Sequence, residues 1–261
     1  MIGVFDSGIG GLTVVKSIMA AFPDYDITFF GDTARTPYGI KNPETIIEHT
    51  VNSARFLVNN GARLMVIASN TASSIASEIL HKTFGLPVFE VINPTVESAI
   101  SASPGVRIGI IGTRSTVSSG IYESRIKTRL PTAVTTAAAC PLIVPLVEEG
   151  WFKRPETAMI VKKYLHPLKV RQIDTLILGC SHYPVLKELI QRKIGRRVRI
   201  VDTPAAVTEN IKFFLRSHPE LDTQMLKTGT HQYYVSGLTP QLNRIAQFMI
   251  NRYVELRHVK I

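Results

Sequence analysis

Leu64-Met65-Val66-Ile67-Ala68-Ser69-Asn70-Thr71 and Thr175-Leu176-Ile177-Leu178-Gly179-Cys180-Ser181-His182-Tyr183-Pro184 share one design. In each, a short apolar run rich in β-formers ends in a small hydroxyl or thiol just before a helix-like segment. That is the pattern of a buried strand feeding a helix. In open α/β sheets, ligands bind outside the carboxyl ends of the strands. Two such tips in one chain predict a substrate gripped from both sides.

The surrounding sequence repeats the strand-then-helix pattern. Ile2–Phe5, Ile27–Phe30, Leu64–Ala68 and Val88–Ile92 read as strands, with helical periodicity between them, as over Pro43–Asn59. After the turn-rich stretch Ser101–Gly105 comes a second series: Arg107–Ile111, Ala133–Ala137, Thr175–Leu178 and Arg199–Val201. The expected fold class is α/β, with two pseudo-symmetric three-layer α/β domains of mostly parallel sheets and the active site at their interface. Asn93-Pro94 and Thr203-Pro204 are the expected crossing points, because the residue before a proline is biased away from helix. One domain is then residues 1–92 plus 205–261 and the other 93–204. The returning segment reads as a helix over Ala205–Ser217, a strand over Gln232–Ser236 and a helix over Pro240–Leu256.

At 261 residues and 45% hydrophobic, the chain can bury cores for two such domains. No apolar run reaches the roughly 18 residues of a bilayer span, and no basic segment, hydrophobic stretch and cleavage site open the chain, so a cytoplasmic protein without membrane contact is expected. Cys140 and Cys180 are too few for a disulfide framework and lack the partners of a zinc site, so no metal is expected. Cys140 reads as a packed structural thiol. The formal charge of +10 is densest at Arg192, Lys193, Arg196, Arg197 and Arg199. Without zinc-finger spacing, an aromatic RNA-binding signature or a basic tail, a solvated basic face or attraction of an anionic substrate is expected ahead of a nucleic-acid partner.

The loop Asp6-Ser7-Gly8-Ile9-Gly10-Gly11 follows the first strand and opens a helix, so its N–H groups can hold a carboxylate or phosphate. A dinucleotide fingerprint needs a glycine where this loop continues to Thr13, although Asp32 falls near the acidic position of that motif. Asp6 and Ser7 instead offer a carboxylate and a hydroxyl, suited to the ammonium and carboxylate of an amino acid.

Five motifs, in order along nearly the whole chain, carry a resemblance. They are Asp6-Ser7-Gly8-Ile9-Gly10-Gly11, Gly31-Asp32-Thr33-Ala34-Arg35-Thr36-Pro37-Tyr38-Gly39, Ser69-Asn70-Thr71-Ala72, Cys140-Pro141-Leu142 continuing through Glu148-Glu149-Gly150, and Gly179-Cys180-Ser181-His182-Tyr183-Pro184. Together they resemble the glutamate racemases. The resemblance implies a cofactor-independent enzyme of two pseudo-symmetric α/β domains that interconverts L- and D-glutamate for peptidoglycan synthesis, and a homodimer. An aspartate racemase and a non-catalytic amino-acid-binding or regulatory protein on the same fold are the alternatives.

One position departs from the family. The resemblance implies a cysteine at each strand tip, whereas this chain has Ser69 at the first and Cys180 at the second. Racemisation without a cofactor needs a base on one face of the α-carbon and an acid on the other. A thiol with a reference pKa of about 8.5 can serve as either, and an alcohol is far less acidic. By analogy, position 69 serves D-glutamate and Cys180 serves L-glutamate. Reduced or asymmetric activity follows, whether Ser69 is natural or an introduced change. By the same resemblance Asp6 and His182 assist the two proton transfers, and Asp32 and Glu148 orient the site. Ser7, Tyr38, Gly39, Asn70, Thr71, Thr116 and Ser181 then hold the substrate with Asp6 and His182, Ser181 standing where the family has threonine.

Overall fold

The computed structural model describes residues 1–261. Its strands are β1 (Ile2–Asp6), β2 (Ile27–Gly31), β3 (Leu64–Ile67), β4 (Val88–Glu90), β5 (Arg107–Gly112), β6 (Val134–Ala139), β7 (Thr175–Gly179), β8 (Arg199–Val201), β9 (His231–Val235) and β10 (Leu256–His258). Its helices are α1 (Leu12–Ala21), α2 (Pro43–Asn59), α3 (Asn70–Phe84), α4 (Ile92–Ala102), α5 (Arg114–Ser118), α6 (Ile121–Arg129), α7 (Ile143–Glu148), α8 (Pro155–Val170), α9 (Lys187–Ile194), α10 (Thr203–Ser217), α11 (Pro219–Thr223) and α12 (Pro240–Ile250). No helix is long and apolar enough to cross a membrane.

The strands form two wholly parallel sheets, ordered β10-β9-β2-β1-β3-β4 and β6-β5-β7-β8. Within each, the first four strands of the series lie in the order second, first, third, fourth, so the topology is duplicated. In that order the chain reverses direction across the sheet between the first and third strands, where an open α/β sheet leaves its crevice. Ser7 and Ser69 leave β1 and β3 at one such crevice; Thr113 and Cys180 leave β5 and β7 at the other.

Both-sided burial explains the continuous apolar strands. Every residue of β1, β2, β3 and β7 is buried, as a sheet covered by helices on both faces requires. Each fully buried Ile, Leu or Phe contributes about 1.5–3 kcal/mol of transfer free energy. The largest core is continuous between the sheets, running from Ile2 and Val4 through α1 and Val207 and Ile211 of α10 to Val161, Leu176 and Leu178.

Local signals set the helix ends. Asn42 caps α2 by accepting from the Thr45 N–H, with Pro43 at the first turn, and α3 ends on Gly85 at φ +60°. Three expected boundaries are corrected. The fourth strand stops at Glu90 rather than Ile92, because the Glu90 carboxylate accepts the Ile92 and Asn93 N–H groups and starts α4. Asn93-Pro94 therefore lies inside the first turn of α4, where a proline's missing N–H costs nothing. The last helix ends at Ile250 on left-handed Asn251, and Leu256–His258 adds a tenth strand beside β9.

Candidate active site

The tips of the two sheets face one cleft. It is lined by Ser7, Thr36, Pro37, Tyr38, Gly39, Ser69, Asn70 and Thr71 on the first side and Thr113, Val144, Cys180, Ser181 and His182 on the second. Its free volume is about 30 Å³, room for one or two waters.

On the second side, Cys180 is buried at the end of β7. His182 Nδ1 lies 3.9 Å from Cys180 Sγ, and its Nε2 lies 3.0 Å from Glu148 Oε1 at the end of α7. Burial by itself would lower the His182 pKa, but the hydrogen bonds to Cys180 and Glu148 outweigh it and hold the imidazole well above its ordinary range. The ring is thus kept as an imidazolium beside the sulfur. Ser181 Oγ donates to Asp6 Oδ1 at 3.0 Å, and Asp6 Oδ2 accepts the Gly8 N–H at 3.0 Å. Burial raises the Asp6 pKa, with His182 and these donors opposing the rise.

Gly10 makes this arrangement possible. A side-chain carbon there would stand 2.5 Å from both His182 Nδ1 and Ser181 Oγ, so the glycine loop after β1 can press directly onto the tip of β7. The space in which a phosphate-cradling loop would hold its ligand is filled by Ser181 and His182.

On the first side the partners are neutral. Ser69 caps α3: its Oγ accepts the Ala72 N–H at 3.3 Å and lies 2.9 Å from Ser7 Oγ. Asn70 Nδ2 donates to Tyr122 Oη at 2.7 Å, and Thr71 shares a hydroxyl triangle with Thr113 and Thr116 at 3.0–3.2 Å. These bonds cross from one sheet's layer to the other's.

The structure brings Ser7, Tyr38, Gly39, Ser69, Asn70, Thr71, Cys180, Ser181 and His182 to the cleft wall. Asp6 and Glu148 stand directly behind Ser181 and His182. Asp32 is set back: fully buried, it accepts from Tyr38 at 2.5 Å, Arg35 at 2.9 Å and Ser236 at 2.7 Å, and so fixes the loop that presents Tyr38 and Gly39. Thr116 is one hydroxyl removed, behind Thr113. Sequence reasoning missed Thr36, Pro37, Thr113 and Val144 on the wall and Tyr122 behind Asn70. Thr113 had a signal, since it follows β5 as Ser7 follows β1. Cys140 lies away from the wall, and burial pushes its thiol up to about 12, an inert packed group. No group of three or more His, Cys, Asp or Glu side chains is gathered to hold a metal.

A thiol paired with an imidazolium can move a proton to or from a carbon held in front of it, and the ring of amide and hydroxyl groups suits a carboxylate-bearing amino acid. Known proteins agree with this chemistry. A family model for Asp/Glu/hydantoin racemases matches residues 2–211. The glutamate racemase of Geobacter metallireducens is 42% identical over 244 residues, covering 94% of this chain and 90% of that protein. That of Aquifex aeolicus is 41% identical over 254 residues, 97% of this chain and 95% of its own length. Among solved structures, glutamate racemase isoform RacE1 from Bacillus anthracis superposes with a TM-score of 0.94 at 30% identity, covering 100% of this chain and 97% of its own. The Francisella tularensis glutamate racemase, solved in complex with D-glutamate, gives 0.90 at 32% identity over 99% and 97%.

Proposed function

The chain belongs to the Asp/Glu/hydantoin racemase family, and on that premise we propose that it interconverts L- and D-glutamate by proton transfer at the α-carbon between two opposed side chains, Cys180 and Ser69, without a cofactor. The observation that carries the mechanism is the convergence of the two sheets' equivalent strand tips on one cleft, each presenting a proton-bearing group. The glutamate specificity rests on full-length likeness to glutamate racemases. Likeness to aspartate racemases, at 16% and 19% identity, extends to the fold alone.

Cys180, as thiolate, takes the α-proton of L-glutamate, while the His182 imidazolium, fixed by Glu148, stabilises the sulfur's negative charge. Ser69 returns a proton to the opposite face. Its alkoxide is stabilised only by the Ser7 hydroxyl and the Ala72 N–H, so this return is slow. In the D-to-L direction Ser69 would have to act first, as a base, so solvent exchange of the α-proton is slower for D-glutamate than for L-glutamate, while kcat/KM for net racemisation is the same both ways because the enantiomers have equal free energy. Asn70, Thr71, Thr113, Ser7 and Ser181 hold the substrate's carboxylates and ammonium, and Asp32 acts through Tyr38 as a positioning residue. The intact Cys180 side supports a slow, asymmetric racemase over a pure binding module. A cytoplasmic homodimer that supplies D-glutamate to peptidoglycan is the setting this reading carries with it.

The test is α-proton exchange in deuterated buffer followed by NMR, together with calorimetry. L-glutamate should exchange first and D-glutamate far more slowly, with binding that needs no metal, nucleotide or pyridoxal phosphate. Absence of glutamate binding, or activity lost on dialysis and restored by a cofactor, overturns the reading.

A further inference from the structure

The chain's net positive charge is concentrated in one half of the molecule. Residues 93–204 hold 17 lysines and arginines against 8 aspartates and glutamates, which is +9 of the total +10. The fold concentrates it further. Lys162, His166 and Lys169 lie at i, i+4 and i+7 on one exposed face of α8, and α9 packs beside α8 with Arg192 and Lys193 in its last turn. These five, with exposed Val170, line a trough of about 580 Å³.

None of these lysines and arginines has a carboxylate within ion-pair distance; the chain's six ion pairs all lie elsewhere. Asp174, the acidic residue between the two helices, is engaged by Ser103 and by the N–H groups of Gly105 and Arg107. The trough is also at the wrong end of the sheet to serve the cleft. The C-terminal ends of α8 and α9 lead into the starts of β7 and β8, whereas Cys180 follows the far end of β7, about 16 Å away along a five-residue strand. Placed there, the cations do not act on bound substrate.

We propose that this trough is a docking surface for the phosphate backbone of duplex nucleic acid, read without regard to sequence. Three donors spread over about 10 Å of helix axis cover the rise of four successive phosphates of one strand at about 3.4 Å each. Arg192 and Lys193 close the opposite wall. A concave channel suits a ridge of phosphates, and a bilayer would present a flat face. The trough contains no Phe, Tyr or Trp platform on which successive unpaired bases could stack, His166 being its one ring, which favours duplex over single strand.

The experiment is fluorescence anisotropy of the whole protein with two labelled duplexes of unrelated sequence. Both should bind equally. With four permanently charged cations engaged, affinity should fall ~50-fold between about 50 and 150 mM salt. The variant Lys162→Gln/Lys169→Gln/Arg192→Gln/Lys193→Gln should lose at least about tenfold in affinity at the lower salt, and its salt dependence should flatten, while glutamate binding stays as in the parent. A matched variant in the other half, Arg63→Gln/Lys82→Gln/Arg216→Gln/Lys260→Gln, should bind duplex as the parent does. The proposal is overturned if the parent fails to bind at the lower salt, or if both variants weaken binding equally, since net charge would then suffice. It is also overturned if one duplex is strongly preferred, or if phosphatidylglycerol vesicles at the same salt bind more tightly than duplex.

Discussion

The tips of β3 and β7 hold equivalent places in a duplicated strand order, yet their surroundings differ in kind. Cys180 has an imidazolium at 3.9 Å, a carboxylate behind that ring at 3.0 Å, and Asp6 tied to its neighbour Ser181. Ser69 has a serine at 2.9 Å and a backbone N–H at 3.3 Å. Even Asp6, which ends β1 beside the first tip, turns its carboxylate to the second. Duplicated topology thus delivers two groups to one cleft without giving them equal acid–base support.

Exchanging the groups at the tips breaks the comparison most severely. Cys180→Ser should abolish α-proton exchange with both isomers, and Ser69→Cys should raise net racemisation by roughly 10²–10⁴-fold, the scale of a recovered general acid–base group. Both are read by NMR exchange and by polarimetry. If Ser69→Cys stays folded yet inert toward glutamate and aspartate, the binding-module account replaces the racemase.

Removing the support of one tip is the next largest change. His182→Gln should slow exchange of L-glutamate by about 10²-fold, within the range for an acid–base assistant, and should also shift stability with pH. The folded pKa of His182 is raised, so its stabilisation is complete below the unfolded value of about 6.5 and is lost as pH climbs through the folded value. Urea denaturation should therefore show the variant's deficit to be larger near pH 6 than near pH 10. A pH-independent deficit removes the imidazolium from the account.

Gly10→Ala tests the contact through which the first half presses on the second tip. The added carbon must displace His182 or Ser181, at a cost of about 1–3 kcal/mol in unfolding free energy. L-glutamate exchange should fall with it, while Gly61→Ala, at an uncrowded position whose left-handed backbone (φ +89°) also costs stability, should leave exchange unchanged. The smallest effect is expected at Tyr122→Phe, which removes the acceptor of Asn70 Nδ2 at the first tip. About 1 kcal/mol of stability and a raised KM with little change in kcat should result; an unchanged KM would show that Asn70 is held without it.

The parallel strands, the helix over Pro43–Asn59 and both tips were legible in the sequence, because each leaves a local mark. Apolar runs of four to six residues signal strands buried on both faces. Helical periodicity over Pro43–Asn59 marks a helix, and α2 has those bounds. The errors fell where a local mark was overruled by a contact. Proline at 94 reads as a break until the Glu90 carboxylate is seen to cap the helix that contains it, and Pro240–Leu256 reads as one helix until its last residue, Leu256, is seen to pair with β9. Asp32 reads by its place in a motif as a carboxylate that orients the site, and only its three donors, Tyr38, Arg35 and Ser236, show which loop it ties down.

What the sequence by itself determined is the inventory: a duplicated α/β chain, a thiol and an alcohol at its two tips, and the hydroxyls, amides and carboxylates near them. Which of these act together was decided by the tertiary structure. The Asp6–Ser181 bond joins residues 175 positions apart, the His182–Glu148 pair 34, and the Asn70–Tyr122 bond 52. No periodicity records such pairings. A hydrogen bond falls off within a few tenths of an ångström and a buried pKa follows whichever group lies against it, so both depend on how two sheets pack, a property of the whole core rather than of any stretch of chain.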